Sequence, residues 1–148
     1  METQLLFEIS AELAPPIAIG GTPAGDRIIF YVTGGKFEGP RLRGEVMPGG
    51  GDWFLVRPDN VGVLDVRIVL KTDDGEPIYM VYRGVAKLPP GGLGAPGPMT
   101  IRTAPTFEVS SKGKYAWLNA LQAVAEGEPM TGAGGQPAGV RYRVYEVR

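Results

Sequence analysis

The chain has 148 residues and a formal net charge of −1, and its 15 basic residues form no run, so neither nucleic acid nor an anionic membrane is an expected partner. It contains no cysteine and no histidine, which excludes disulfides, thiolate chemistry and the Ser-His-Asp triad. We expect no metal and no cofactor. No signal peptide or long apolar run is visible, so we expect one cytoplasmic domain covering residues 1–148.

Short runs of β-branched and aromatic residues alternate with turns along the chain, and 23 glycines and 14 prolines supply those turns. We expect loops over residues 15–26, 88–98 and 126–139, and segment 88–98 is interpreted either as a mobile lid or as a slack connection. Residues 115–124 fit a helix by composition and a strand by alternation, and we take them as strand. The predicted strands are residues 5–13, 27–33, 37–47, 53–57, 61–72, 76–87, 99–110, 115–124 and 140–147.

Residues 61–87 are predicted to form a long β-hairpin, because two strand-like runs flank the Asp-Asp-Gly turn at residues 73–75. Loops of two and of three residues both fit this turn, and a slip of one residue moves every side chain to the other face. We favour the three-residue loop, in which Gly75 takes the positive-φ position. It places Asp65 opposite Arg83 on a polar face. The other face then carries Val66, Ile68, Leu70, Ile78, Met80 and Tyr82.

The orientation of this hairpin is open at the level of sequence. Either the apolar face enters a core and Asp65–Arg83 is a surface ion pair worth about 0–1 kcal/mol, or the polar face lines the lumen of a barrel. Eight or nine short strands without a reliable long helix indicate an all-β sandwich or an antiparallel β-barrel. We favour the barrel, since closure removes exposed edges.

The chain contains, in order, VTGGKFEGPRLRGEV (residues 32–46), GGGDWFLVRPD (49–59), LDVRIVLKTDDGEPIY (64–79), YRG (82–84), IRTAPTFE (101–108), YAWLN (115–119) and VYEV (144–147). Together these segments resemble a family of small bacterial proteins named domain of unknown function 3237. The resemblance implies a single-domain antiparallel β-barrel, lipocalin-like or allene-oxide-cyclase-like, and no settled activity. Residues 88–98 are shorter than the family pattern, and residues 121–127 lack its Gly-Thr-Gly; both differences would alter the mouth of a pocket.

The resemblance favours a lumen lined by the polar face of the hairpin, and we expect side chains from the matching segments to converge there. As catalytic residues we predict Asp65 and Tyr79, either of which would move a proton. Two tryptophans would form apolar walls, and Arg83 and Arg102 would hold an anionic oxygen. The predicted ligand-binding residues are Trp53, Arg57, Arg83, Arg102, Trp117 and Asn119.

Each candidate also has a purely structural interpretation. The tryptophans fit a core, and Asp65 with Arg83 fits a structural ion pair. Tyr79 fits a core residue with a bonded hydroxyl, and Asn119 fits a side chain that satisfies a backbone group. Asp52 is interpreted as a turn residue.

The predicted function is binding of an apolar small molecule with an anionic or carbonyl group in the barrel lumen. The protein could be a cofactor-free isomerase, cyclase or lyase acting on an enolisable or electrophilic molecule. Non-catalytic binding and a purely structural role are the alternatives. A homodimer or higher homo-oligomer is expected.

Overall fold

The computed structural model describes residues 1–133 and 137–148, in which eleven β-strands form one antiparallel sheet. A single turn of 3-10 helix spans Ala116–Ala120. In the described residues no helix is long and apolar enough to cross a membrane. The strands are β1 (Thr3–Leu13), β2 (Ile17–Thr22), β3 (Gly25–Glu38), β4 (Arg43–Val46), β5 (Gly51–Val56), β6 (Val61–Thr72), β7 (Pro77–Lys87), β8 (Thr100–Thr103), β9 (Thr106–Glu108), β10 (Ala123–Thr131) and β11 (Pro137–Val147).

Eight of the strands close a ring, in the order β6, β5, β3, β1, β11, β10, β8 and β7, with β7 pairing back to β6. The other three strands add to this ring: β2 pairs with β3, β4 bridges β3 and β6, and β9 pairs with β7. Every pairing is antiparallel, so no helical crossover is needed. The predicted antiparallel β-barrel is confirmed.

The β6–β7 hairpin has the predicted three-residue loop. Asp65 lies opposite Arg83, and Gly75 has a φ of +89°. Thr72 fastens the turn, because its N–H donates to Glu76 O at 3.0 Å and its Oγ1 accepts from Glu76 N–H at 2.9 Å. The predicted register is therefore confirmed.

The apolar face of this hairpin points into the barrel, while its polar face points outward. Arg67 and Arg83 are exposed, and Tyr79 is 38% exposed. The prediction that the polar face lines the lumen is wrong, because burying a large apolar side chain contributes about 1.5–3 kcal/mol whereas burying charges is costly. The buried set is Val66, Ile68, Leu70, Ile78, Met80 and Tyr82.

Two of the expected loops contain strand. β2 lies within residues 15–26, and β10 runs as far as Thr131, inside the loop expected over residues 126–139. Glycine and proline lower the β propensity of both segments, but cross-strand pairing holds them in the sheet. Residues 134–136, which belong to the loop expected over residues 126–139, lie outside the described residues.

Several predicted strands also differ from the structure: β3 runs without a break from Gly25 to Glu38, across the gap predicted at residues 34–36, and β4 spans only Arg43–Val46 of the strand predicted over residues 37–47. Residues 115–124, predicted as a strand, contain the 3-10 helix and only then enter β10. The strand predicted over residues 99–110 is divided at Pro105 into β8 and β9, because proline has no N–H to donate to a neighbouring strand.

Aromatic side chains and the 3-10 helix fill one end of the barrel. Phe7 packs edge to face against Phe37 and Phe107, with ring centroids 5.4 Å and 6.0 Å away. Leu118, from the helix, is completely buried against this cluster. The space that remains inside the barrel therefore lies toward the opposite end.

The turn geometry predicts a graded effect of substitution at Gly75. An added Cβ would meet no atom within 4 Å, so the cost of Gly75→Ala is conformational only. We expect it to lower the free energy of unfolding by about 1 kcal/mol, and Gly75→Asn to cost less because asparagine tolerates positive φ. Urea denaturation measures both, and equal stability of Gly75→Ala and the parent would contradict the assigned turn.

Candidate functional site

The open end of the barrel contains a cavity of about 370 Å³, called the lumen pocket here, between the strand ends and the loop that follows β7. Ligand pockets of proteins measure about 300–1,000 Å³, so this one suits a compact small molecule. Phe30, Phe54, Leu64 and Ile101 form much of its strand wall. Among the described lining residues, Asp52 is the one ionisable side chain.

The loop between β7 and β8 covers the mouth of the lumen pocket. Its first residues, Leu88 and Pro89, are buried, and Leu93 is partly buried against the core. Asn60 anchors the loop, since its Nδ2 donates to Pro89 O at 2.9 Å and to Leu88 O at 3.4 Å. The loop therefore packs on the barrel, and the two interpretations of it, as a mobile lid and as a slack connection, both stay predictions.

Asp52 points into the lumen from β5. It lies opposite Phe30 on β3 and Val66 on β6, and it alternates in phase with the buried Phe54. One carboxylate oxygen accepts a hydrogen bond from Asp65 N–H at 3.0 Å. Burial raises the pKa of Asp52 to about 7; this hydrogen bond opposes the rise and the charge of Asp65 adds to it. Both protonation states are therefore populated at neutral pH, as acid–base chemistry requires.

Three neutral hydroxyl groups share the lumen with Asp52. Tyr82 and Tyr142 pack edge to face with ring centroids 5.3 Å apart, and their hydroxyls interact with each other. Burial raises the pKa of both tyrosines above the usual range, and the charge of Asp52 adds to the rise. Thr103 Oγ1 is buried without a hydrogen-bond partner among the described residues. The deep part of the lumen is thus polar without a fixed charge.

The predicted catalytic residues lie outside the barrel. Asp65 and Arg83 face each other across the β6–β7 pair, but no ion pair joins them in the described part of the chain. Tyr79 meets Trp53 in a depression of about 290 Å³ on the outer surface, with Arg67 over the Trp53 ring at 5.9 Å. The predicted convergence in the lumen is wrong, because strand alternation turns these side chains outward. Their functional roles stay predictions.

Two of the predicted arginines are also on the surface. Arg57 forms an exposed ion pair with Asp59 at 2.7 Å. Arg102 lines an open groove of about 720 Å³ in which arginines alternate with glutamates, among them Glu126 directly across from it. Neither arginine reaches the lumen pocket, so the anionic ligand group expected from them has no partner there.

The last two predicted residues have structural contacts. The Arg41 guanidinium lies 3.9 Å from the centroid of the Trp117 ring. Asn119 satisfies both backbone groups of Val109: its Oδ1 accepts from the N–H at 2.8 Å and its Nδ2 donates to the carbonyl at 3.1 Å. The structural interpretation of Asn119 is confirmed. Trp117 and Asn119 both lie in the 3-10 helix, at the end of the barrel that the aromatic cluster fills.

Sequence reasoning missed Asp52 as a functional candidate and took it for a turn residue. The signal that could have found it is its two-residue spacing from Phe54, which places it on the inner face of β5. Three acidic side chains close enough to share a metal ion do not occur in residues 1–133 and 137–148. Asp52 therefore belongs to no such acidic cluster in the described residues.

Apolar side chains are also exposed on the outside of β3, β6 and β7. Tyr31 is 46% exposed and Val69 is 39% exposed, and Tyr79 lies across from Val69. Such side chains are compatible with contact between subunits. The expected homo-oligomer stays a prediction.

Comparison with known proteins identifies the family. The family model described as "Protein of unknown function (DUF3237)" matches residues 1–147. The chain belongs to the DUF3237 family. A UPF0311 protein from Clostridium acetobutylicum is 34% identical over 127 residues, which cover 80% of each chain. One from Rhodopseudomonas palustris is 30% identical over 126 residues, which cover 80% of this chain and 82% of that protein.

Solved structures share the fold of this DUF3237 protein. A protein of unknown function from Clostridium acetobutylicum has a TM-score of 0.87 at 31% identity, with both chains fully covered. A protein described as β-barrel like, from Acinetobacter baumannii, has a TM-score of 0.81 at 33% identity, covering 100% of this chain and 98% of that one. An enzyme from Penicillium herquei shares the fold at a TM-score of 0.68 and 23% identity, covering 97% and 93%.

The raised pKa of Asp52 predicts how stability depends on pH. The folded chain holds this proton up to a pH of about 7 and the unfolded chain only up to 3.8, so folding loses stability as pH rises between these values. Asp52→Asn keeps an oxygen for the Asp65 N–H and never ionises. We expect it to match the parent at about pH 4 and to exceed it by about 2–4 kcal/mol at about pH 8.5. Urea denaturation across this range is the measurement, and parallel curves would contradict the assignment.

The Asn60 anchor predicts two separable effects. Asn60 has a φ of +62°, so Asn60→Gly keeps the backbone conformation and loses only the two hydrogen bonds to the loop. We expect faster amide hydrogen exchange across residues 88–98 in both Asn60→Gly and Asn60→Ala. Only Asn60→Ala should also lose about 1 kcal/mol of global stability, from the backbone strain. Unchanged exchange in both variants would show that Asn60 does not hold the loop.

Proposed function

We propose that this protein binds a small apolar molecule in the lumen pocket and that Asp52 exchanges a proton with it. The observation that carries the proposal is a single carboxyl group, with a pKa raised to about 7, in the wall of an otherwise apolar cavity. Residues whose pKa is shifted by burial inside a cavity are common at functional sites.

The chemistry available to Asp52 is that of a general acid and base. In its protonated form it can donate a hydrogen bond to a carbonyl oxygen, and in its ionised form it can remove a proton from an adjacent carbon. Both forms coexist near neutral pH. These properties suit isomerisation, cyclisation or elimination on an enolisable molecule. That a protein of this fold from Penicillium herquei is an enzyme is analogy only, and the proposal rests on the cavity.

The experiment uses Prodan, a neutral fluorescent ketone whose emission changes when it leaves water. Leu93 lines the mouth of the lumen pocket on the covering loop, so Leu93→Trp fills pocket space while leaving every strand residue unchanged. We expect Leu93→Trp to weaken Prodan binding at least about tenfold, because the dye and the indole compete for one volume. Tyr79→Ala, in the outer depression, is the matched control and should leave the affinity unchanged.

The role of Asp52 is tested by the pH dependence of the same binding. A ketone oxygen accepts a hydrogen bond from the protonated carboxyl and is repelled by the carboxylate, so affinity should fall as pH rises through about 7. Asp52→Asn keeps a donor at all pH values and should remove this dependence. Binding that is lost in Tyr79→Ala but not in Leu93→Trp, or that keeps its pH dependence in Asp52→Asn, would overturn the proposal.

A further inference from the structure

The charge of the lumen pocket limits what it can bind. The described lining residues include no lysine and no arginine, and the arginines expected to hold an anion, Arg83 and Arg102, lie on the outer surface. An anionic group carried into the pocket would lose its hydration and meet no cation. At neutral pH and above it would also meet the ionised form of Asp52.

A cationic group is disfavoured for a different reason. One oxygen of Asp52 already accepts the hydrogen bond from Asp65 N–H, so a single free oxygen remains for a ligand. An ammonium group has three donors to satisfy, and an ion pair out of water repays its desolvation only when its remaining donors find partners. The walls formed by Phe30, Phe54 and Leu64 supply none.

The neighbours of Asp52 favour a neutral polar group instead. The titratable groups that act on Asp52 are Asp65, whose side chain lies outside, and Tyr82 and Tyr142, which burial keeps neutral. Thr103 adds a hydroxyl with no partner among the described residues, and the register places it opposite Gly84, which has no side chain to cover it. These hydroxyls lie deeper in the lumen than the residues that line the pocket, so a ligand oxygen in the pocket would meet one acid that can either donate or accept, with no fixed charge behind it.

We infer that the lumen pocket selects neutral apolar alcohols and carbonyl compounds and rejects carboxylates, phosphates and ammonium compounds. This inference rests on the proposed function and deepens it by naming the class of ligand. Of the two ligand groups predicted from the sequence, the inference retains the carbonyl group and excludes the anionic group. It also means that Asp52, rather than an arginine, recognises the polar end of the ligand.

The test uses three ligands with one carbon skeleton: 3-phenylpropan-1-ol, 3-phenylpropanoate and 3-phenylpropan-1-amine. Each is titrated into the full-length protein at about pH 8.5, and the shifts of backbone amide resonances give both the affinity and the location. We expect the alcohol to bind at the lumen pocket and the carboxylate to bind at least about tenfold more weakly, because both the ligand and Asp52 are then ionised. The amine should also bind more weakly than the alcohol, because the pocket leaves donors of its ammonium group without partners.

Lowering the pH gives a second, independent readout. As the pH is lowered from about 8.5 toward a midpoint near 7, Asp52 gains its proton, and the affinity for the carboxylate should rise by up to about tenfold per pH unit. The affinity for the alcohol should change by less than about threefold over the same range. In Asp52→Asn the gap between alcohol and carboxylate at about pH 8.5 should shrink. Asp59→Asn, which removes an exposed carboxylate paired with Arg57, is the matched control and should keep the gap.

The outcomes separate the two proposals. Equal binding of alcohol and carboxylate in the lumen at about pH 8.5, or an amine that binds as tightly as the alcohol or more tightly, overturns the inference on ligand class and leaves lumen binding intact. Absence of any lumen shift with the alcohol at millimolar concentration overturns the proposed function itself.

Discussion

A slip of one residue in the β6–β7 hairpin would mix apolar and charged side chains on each face of the pair, because strand side chains alternate with a period of two. The three-residue loop with Gly75 at positive φ prevents that slip. It sends Val66 and Tyr82 into the lumen and leaves Asp65 and Arg83 outside. β6 and β7 also close the ring of eight strands, and in the closed ring the face that carries Val66 and Tyr82 points inward.

The two ends of the barrel are built differently, and that difference creates the site. Phe7 and its aromatic neighbours, together with Leu118 of the 3-10 helix, fill the end nearest the hairpin turn. The other end is covered only by the loop after β7, which Asn60 holds by two backbone carbonyls. The lumen pocket lies beneath that loop. One carboxyl group, Asp52, reaches it from the strand wall.

The electrostatics of the pocket depend on one buried carboxyl group, Asp52, that forms no ion pair within the described part of the chain. Several charged residues pair on the surface, as Arg57 does with Asp59 and Arg143 with Glu8. Asp52 is buried without such a partner among the described residues, and burial raises its pKa to about 7. A pocket of this kind suits neutral ligands and proton transfer. An arginine-lined lumen, which the sequence had led us to expect, would instead hold an anion.

Local patterns in the sequence were sufficient for the β class, for the hairpin and its register, for the strand at the C-terminus and, through the family resemblance, for the barrel. They were insufficient for the site. Alternation shows that Asp65 and Tyr79 share a face, but not which face is inside, because that choice depends on closure between strands far apart in the chain. Likewise Asp52 beside three glycines has the composition of a turn, and only its pairing with β3 and β6 turns it inward. The sequence therefore determined which side chains lie together on a strand, whereas the closed ring decided which of them share the cavity.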